Sequence, residues 1–229
     1  MTTQPTPATR PTLTTTFAML KQHGACAYGY RMLAKHLGGI KTYGGETPIP
    51  LLTILEHNGL MDTLWAVRAV APALTATRDL LLRLYAADCA EHVLPIFEAR
   101  YPADKRVRRC MELTRLYATG QATQEELEQG RRDAAAAYAY AASAAYAFYA
   151  SSAATYAADA AYAAATYAAD DADAANAAAA NAAAADAAFY AANDAANAAA
   201  DADAAAHAAY AAERQWQSER LAQYLRGEL

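Results

Sequence analysis

The chain has 229 residues and a formal charge of −5, distributed unevenly: residues 133–212 carry nine Asp and no Lys or Arg, while the rest carries all 19 basic residues against 15 acidic ones. An acidic segment of this kind repels phosphate backbones, and the remainder, at +4, is not basic enough to mark a DNA-binding protein. The three cysteines, Cys26, Cys89 and Cys110, lack the spacing of a disulfide framework and read as reduced thiols of a cytoplasmic protein.

The N-terminal MTTQPTPATRPT has no apolar core and reads as a disordered leader over residues 1–12. Short helices with turn punctuation follow. TTTFAMLKQH has Thr caps and stops before Gly24, and ACAYGYRMLAKHL stops at Gly38-Gly39. KTYGGETPIP reads as a loop. Pro50 suits the first position of PLLTILEHN, which ends at Gly59. LMDTLWAVRAV places Leu60, Leu64, Val67 and Ala71 on one helical face before Pro72. From about Arg78 a helix is expected, with Pro95 kinking or ending it. PADKRVRRCMELTRLYATG opens at Pro102 and Asp104 and closes at Gly120. Residues 13–120 therefore predict an all-helical head of five or six helices.

Residues 121–229 predict an Ala/Tyr/Asp-rich helical arm with a C-terminal docking helix. Thr123 and Glu126 have the spacing of a capping box, and 131–226 contain neither Gly nor Pro. Ala has the best helix propensity, and one rod of this length would reach about 140 Å at ~1.5 Å per residue. Tyr138, Tyr149, Tyr156 and Tyr167, spaced by 11, 7 and 11 residues, share one stripe of a helix from about Gln124 to Ala169. Asp170-Asp171-Ala172-Asp173 is the best place for a break. Phe189, His207, Tyr210, Leu221 and Leu225 form a second stripe beyond it. The expected fold class is all-α: an N-terminal multi-helix domain followed by long Ala-rich helices folded back as an antiparallel hairpin or bundle. A longer rod, or further fold-backs at Ser151-Ser152 or Asn193-Asp194, are the alternatives. The 25 uncharged residues between Asp133 and Asp159 could span a bilayer by length, but they lack Leu, Ile and Val, so a soluble helix is expected and no membrane.

Chemistry-bearing patterns are few. Asp88 and His92, at i and i+4 beside Cys89 and Glu91, could present two metal ligands on one face, with His36, His57 or Asp62 as further donors. A polar helix face or a capped core histidine is the plainer reading, and no metal or cofactor is expected. Lys105, Arg106, Arg108 and Arg109 form a basic turn that could meet phosphate, an acidic partner or the chain's own acidic segment, or simply face solvent. Trp65 and Arg68 stand at i and i+3, and Trp216 lies in ERQWQSERLAQYL; both tryptophans read as core or docking anchors. Phosphate-loop, nucleophile-elbow and His-Glu-x-x-His motifs do not occur, so no catalytic residues and no enzyme are expected.

Three stretches together carry a resemblance: LLTILEHNGLMDTLWAVRAV, then RLYAADCAEHVLPIFEARYPADKRVRRCMELTRLYATGQATQEELEQGRRDAAAAY, then AAERQWQSERLAQYL. In order and spacing, from about Leu51 to Leu225, the chain resembles the alanine-rich immunity-protein family of bacteria and phages. The shared positions are Leu64, Trp65, Arg68, Ala69, Arg83, Leu84, Asp88, Cys89, Ala90, Gly120 and Leu127. Relatives carry Trp and Arg within the repeat where this chain has Tyr, Asp and Asn. The resemblance implies a non-enzymatic protein that neutralises a toxin or a host defence component. Tyr138, Tyr149, Tyr156 and Tyr167 would offer contact area to a basic partner. Two other readings compete: a sponge for a nucleotide signal, held by Trp65, Arg68, Arg108 and Arg109, and a homo-oligomerising structural protein whose Ala faces pair chains.

Overall fold

A computed structural model describes residues 11–148 and 202–229. The described residues form an all-α protein with one two-residue pair of strands. The chain divides into two compact units, Met1–Arg78 with Leu221–Leu229, and Asp79–Arg220.

In the first unit, β1 (Thr14–Thr15) pairs antiparallel with β2 (Ile49–Pro50), Thr15 opposite Ile49. This ties the chain start to the entry of the fourth helix, and Thr15 Oγ1 donates to the Ala69 carbonyl at 2.5 Å. Helix α1 (Phe17–Gln22) starts where the Thr16 hydroxyl accepts from the Met19 amide at 3.1 Å. Helix α2 (Ala27–His36) is capped by Cys26, whose sulfur accepts from the Gly29 amide at 3.3 Å. The segment expected as a loop contains a single helical turn, α3 (Ile40–Tyr43), and then β2. Tyr43 explains the turn: its ring meets Phe17 edge-on and its hydroxyl donates to the Pro48 carbonyl at 2.9 Å. Pro50 precedes α4 (Leu51–Asn58) rather than occupying its first position. Gly59, with φ of 83°, lets the chain turn directly into α5 (Leu60–Ala66). A 3-10 turn, Val67–Ala69, finishes what the sequence presents as one helix. Leu13, Phe17, Leu20, Leu33, Ile49, Leu51, Ile54, Leu64 and Val67 are buried and make this unit's core.

Helix α6 (Thr75–Arg100) runs from the first unit into the second and contains Pro95. Pro95 does not end it: Val93, Leu94 and Phe97 are buried around the proline, and this burial offsets the ~3 kcal/mol that an interior proline costs. Residues 85–90 are all buried, so every face of α6 is covered there. Helix α7 (Arg106–Ala118) stops at Gly120 as the sequence indicates. Helix α8 (Gln124–Phe148) begins with the expected capping box: Thr123 Oγ1 accepts from the Glu126 amide at 3.2 Å, and Glu126 accepts from the Thr123 amide at 2.8 Å. Seven α-helices therefore begin between Thr14 and Gly120 among the described residues, one more than the upper expectation because of the short α3.

Along α8 the buried positions are Leu127, Gly130, Ala134, Ala137 and Ala141, spaced 3, 4, 3, 4. This is the spacing of a narrow helix–helix seam. At Gly130 an added Cβ would sit 2.9 Å from Leu113 Cδ1 and 3.5 Å from Cys110 Cα, which shows how closely α7 and α8 approach. Tyr138, expected to supply packing area, lies off this seam and is 39 % exposed. From Gly130 onward the buried positions are glycine and alanine, and at Gly130 itself only a small side chain fits between helices this close.

The last helix is α9 (Ala202–Arg226). Its buried positions are Ala206, Glu213, Gln217, Leu221, Ala222 and Tyr224. His207 and Tyr210, expected on the inward stripe with Leu221, are exposed. The inward face is rotated from that stripe because Glu213 and Gln217 find hydrogen-bond partners inside and so can be buried. Tyr149, Tyr156, Tyr167, Phe189, most of the expected leader and the proposed break at Asp170–Asp173 lie outside the described residues. Among the described residues no helix is long and apolar enough to cross a membrane.

Candidate functional site

Charged side chains of the second unit concentrate where α6, α7 and α9 meet. Asp88 lies in the buried stretch of α6, its side chain only 2 % exposed, so its carboxylate requires partners. Arg115 of α7 donates to Asp88 Oδ1, and Arg220 of α9 donates through Nε to Asp88 Oδ2 at 2.5 Å. Arg115 also forms a fork on Glu91, at 2.7 and 2.6 Å. One turn further along α6, His92 Nδ1 lies 2.7 Å from Glu213 Oε2. The other oxygen of Glu213 accepts from Gln217 Nε2 at 3.0 Å. The His92 ring stacks on Trp216 with centroids 3.8 Å apart and planes 3° from parallel. Tyr85 completes the junction by donating to the Gln217 carbonyl at 3.2 Å.

This arrangement holds a helix in place. Asp88 and His92 engage different partners, and among the described residues no group of three or more His, Cys, Asp or Glu could hold a metal ion. Cys89, between them, is fully buried, and burial pushes its thiol far up, away from the thiolate. Trp216, read as an anchor, performs that role through the histidine stack. Glu213, Gln217 and Arg220 are not singled out by sequence, and Arg115 stands out there only as a possible addition to the basic turn. The available signal was Glu213 and Gln217 falling in step with Ala206 and Leu221 on one helical face.

The basic turn is neutralised locally. Arg108 forms a fork on Glu98, at 2.7 and 2.5 Å, and Lys105 lies 3.6 Å from the same carboxylate. Arg106 pairs with Asp104, and Arg109 lies 3.3 Å from Glu112. The Arg108 and Arg106 guanidiniums hold the carboxyls of Glu98 and Asp104 below their usual range. Trp65 and Arg68 are brought together: the guanidinium lies over the indole, 5.0 Å from its centroid, and Nε donates to the Trp65 carbonyl at 3.0 Å. That pair belongs to the first unit, whereas Arg108 and Arg109 belong to the second.

Three tyrosines of the acidic segment face outward. Tyr138 and Tyr140 on α8 are 39 % and 57 % exposed, and Tyr210 on α9 is 38 % exposed. Tyr140 is steadied from one side by an edge contact with Tyr101, centroids 5.4 Å apart. Neither family models, curated proteins nor solved structures yield a match to the chain.

Proposed function

We propose that this is a non-enzymatic binding protein of the immunity or anti-defence type that its sequence resembles, acting in the cytoplasm on a protein with a basic surface. The observation that carries the reading is the exposure of Tyr138, Tyr140 and Tyr210 on helices of a segment that bears nine Asp and no Lys or Arg. Tyrosine supplies a large contact area with little rotamer entropy to lose, and acidic surroundings steer a cationic target. The ion pairs of α6, α7 and α9 are engaged within the fold and leave recognition to this outer surface.

The test is capture from host lysate on immobilised protein, identification of the retained protein, and titration of the purified pair. Affinity should fall as salt rises and fall again when Tyr138 and Tyr140 are changed together to Ala. A complex indifferent to salt and to both tyrosines, or no complex at all, overturns the reading. A ligand released from the purified protein and identified as a nucleotide would favour a sponge instead.

A further inference from the structure

We propose that the exposed face of α2, with the start of α5 beside it, is a docking surface for an acidic amphipathic helix of another protein. It is distinct from the tyrosine-bearing surface of α8 and α9 and opposite to it in charge. Residues 11–45 hold Lys21, Arg31, Lys35 and Lys41 and no Asp or Glu, so this stretch is +4 in a chain whose net charge is −5. All four cations are exposed, and none forms an ion pair with a described residue. In the basic turn of α7, by contrast, a carboxylate meets each of Lys105, Arg106, Arg108 and Arg109. On α2, Tyr28, Arg31, Met32 and Lys35 fall within about 100° of arc at ~100° per residue, on the side away from buried Leu33. Tyr28 and Met32, one turn apart, are 70 % and 38 % exposed, and Met61 of α5 is 57 % exposed.

The two helices are fixed against each other where these side chains stand. At Gly29 an added Cβ would lie 2.5 Å from Asp62 Oδ2, and Asn58 Nδ2 donates both to the Gly29 carbonyl, at 2.9 Å, and to Asp62 Oδ2, at 2.8 Å. Tyr28 and Met61 are each one residue from that joint, so apolar groups of two helices border it. Covering them releases water from apolar surface, and methionine adapts its shape to what covers it. The charges identify the occupant. Arg31 and Lys35 border the apolar strip on one side, whereas the half-buried Asp62 carboxylate lies on the other. A helix with an apolar stripe and carboxylates along its edge matches the strip and the cations together. An anionic bilayer or a phosphate backbone brings negative charge to the whole face, against Asp62 as well as toward Arg31.

The full chain is titrated with a synthetic peptide about four helical turns long, with Leu along one face and Glu bordering it, while the methyl resonances of Met32 and Met61 and the ring resonances of Tyr28 are followed. A counterpart peptide carries Lys in place of each Glu. The expected result is a saturable shift at all three residues with the Glu peptide, weakened by added salt, and affinity about tenfold lower or worse for the Lys peptide. Arg31→Glu combined with Lys35→Glu, at exposed positions that leave the buried face of α2 intact, should reverse the ranking of the two peptides. The peptide comparison uses the parent protein and stands whether or not that variant folds. Changing Tyr138 and Tyr140 to Ala should leave binding of the Glu peptide unchanged, which separates this surface from the acidic one. Phosphatidylserine vesicles and a dilution series of the protein alone test a membrane and a second copy as occupants. No saturable shift, equal affinity for both peptides, an unreversed ranking in the folded charge-swapped protein, or weakened binding in the Tyr138 and Tyr140 variant overturns the proposal. So does tighter binding to the vesicles than to the Glu peptide, or the same shifts produced by protein concentration alone.

Discussion

Replacing Asp88 by Asn tests whether the polar junction holds α9 in place. The substitution keeps size and shape but removes the charge facing Arg115 and Arg220. Two charges about 4 Å apart attract by roughly 4 kcal/mol at an effective dielectric of about 20. Much of that gross gain is offset by desolvating the carboxylate, whose side chain is 2 % exposed. The guanidiniums are 35 % and 29 % exposed and keep part of their hydration, which places the loss below the ~3–5 kcal/mol typical of breaking a fully buried pair. Asp88→Asn should therefore cost about 2 kcal/mol in urea unfolding followed by circular dichroism. It should also speed proteolysis at Arg214 and Arg220. Glu112→Gln, which removes a pair whose side chains are both more than half exposed, should cost less than about 0.5 kcal/mol. An Asp88→Asn protein as stable as the Glu112→Gln control, with α9 equally resistant to protease, would refute the reasoning.

Other outcomes are equally specific. Gly130→Leu places a branched side chain where Leu113 Cδ1 lies 2.9 Å from a bare Cβ, and should cost about 3 kcal/mol by forcing α7 from α8, read as a lowered unfolding midpoint. A thiol reagent should modify exposed Cys26 quickly in the native protein, leaving Cys89 and Cys110 until unfolding; burial pushes the Cys110 thiol up to about 12. Three labels at equal rates would contradict the packing of α6 and α7. Glu98, Asp104 and Glu126 have carboxyls held below their ordinary values, by Arg108, by Arg106 and by the Thr123 amide respectively. Folded, they bind fewer protons than unfolded at the same pH, so their contribution is complete above about pH 5 and drains away as pH falls through their folded-state values. The melting midpoint should fall between about pH 5 and about pH 3, and a flat profile would contradict it.

Local signals were legible where they act within a few residues. The Thr16 cap, the breaks at Gly24, Gly59 and Gly120 and the Thr123–Glu126 box all stand in the sequence and in the fold. Signals that depend on distant partners were not. Pro95 marks a helix end by its own chemistry, but burial of Val93, Leu94 and Phe97 carries the helix past it. The inward face of α9 could not be found by following hydrophobicity, because two of its members are Glu213 and Gln217, made buriable by residues more than a hundred positions away or by each other. For the same reason Asp88 and His92 read as a pair of neighbours, whereas each is satisfied from α7 or α9. The Tyr138 stripe pointed to the packing face, but the seam is made of what the sequence offers in greatest supply, alanine, with Gly130 at its tightest described point.

The bonds from Tyr85, Asp88 and His92 to Gln217, Arg220 and Glu213 close loops of 132, 132 and 121 residues. During synthesis, α6 leaves the ribosome long before the residues that will neutralise its carboxylate and cover its tyrosine exist. The nascent protein must therefore keep an open flank until Arg220 emerges, and any message cut short before that codon yields a polypeptide unable to finish its interior. Such closure makes final assembly slow relative to helix formation and leaves incomplete products conspicuous to proteases.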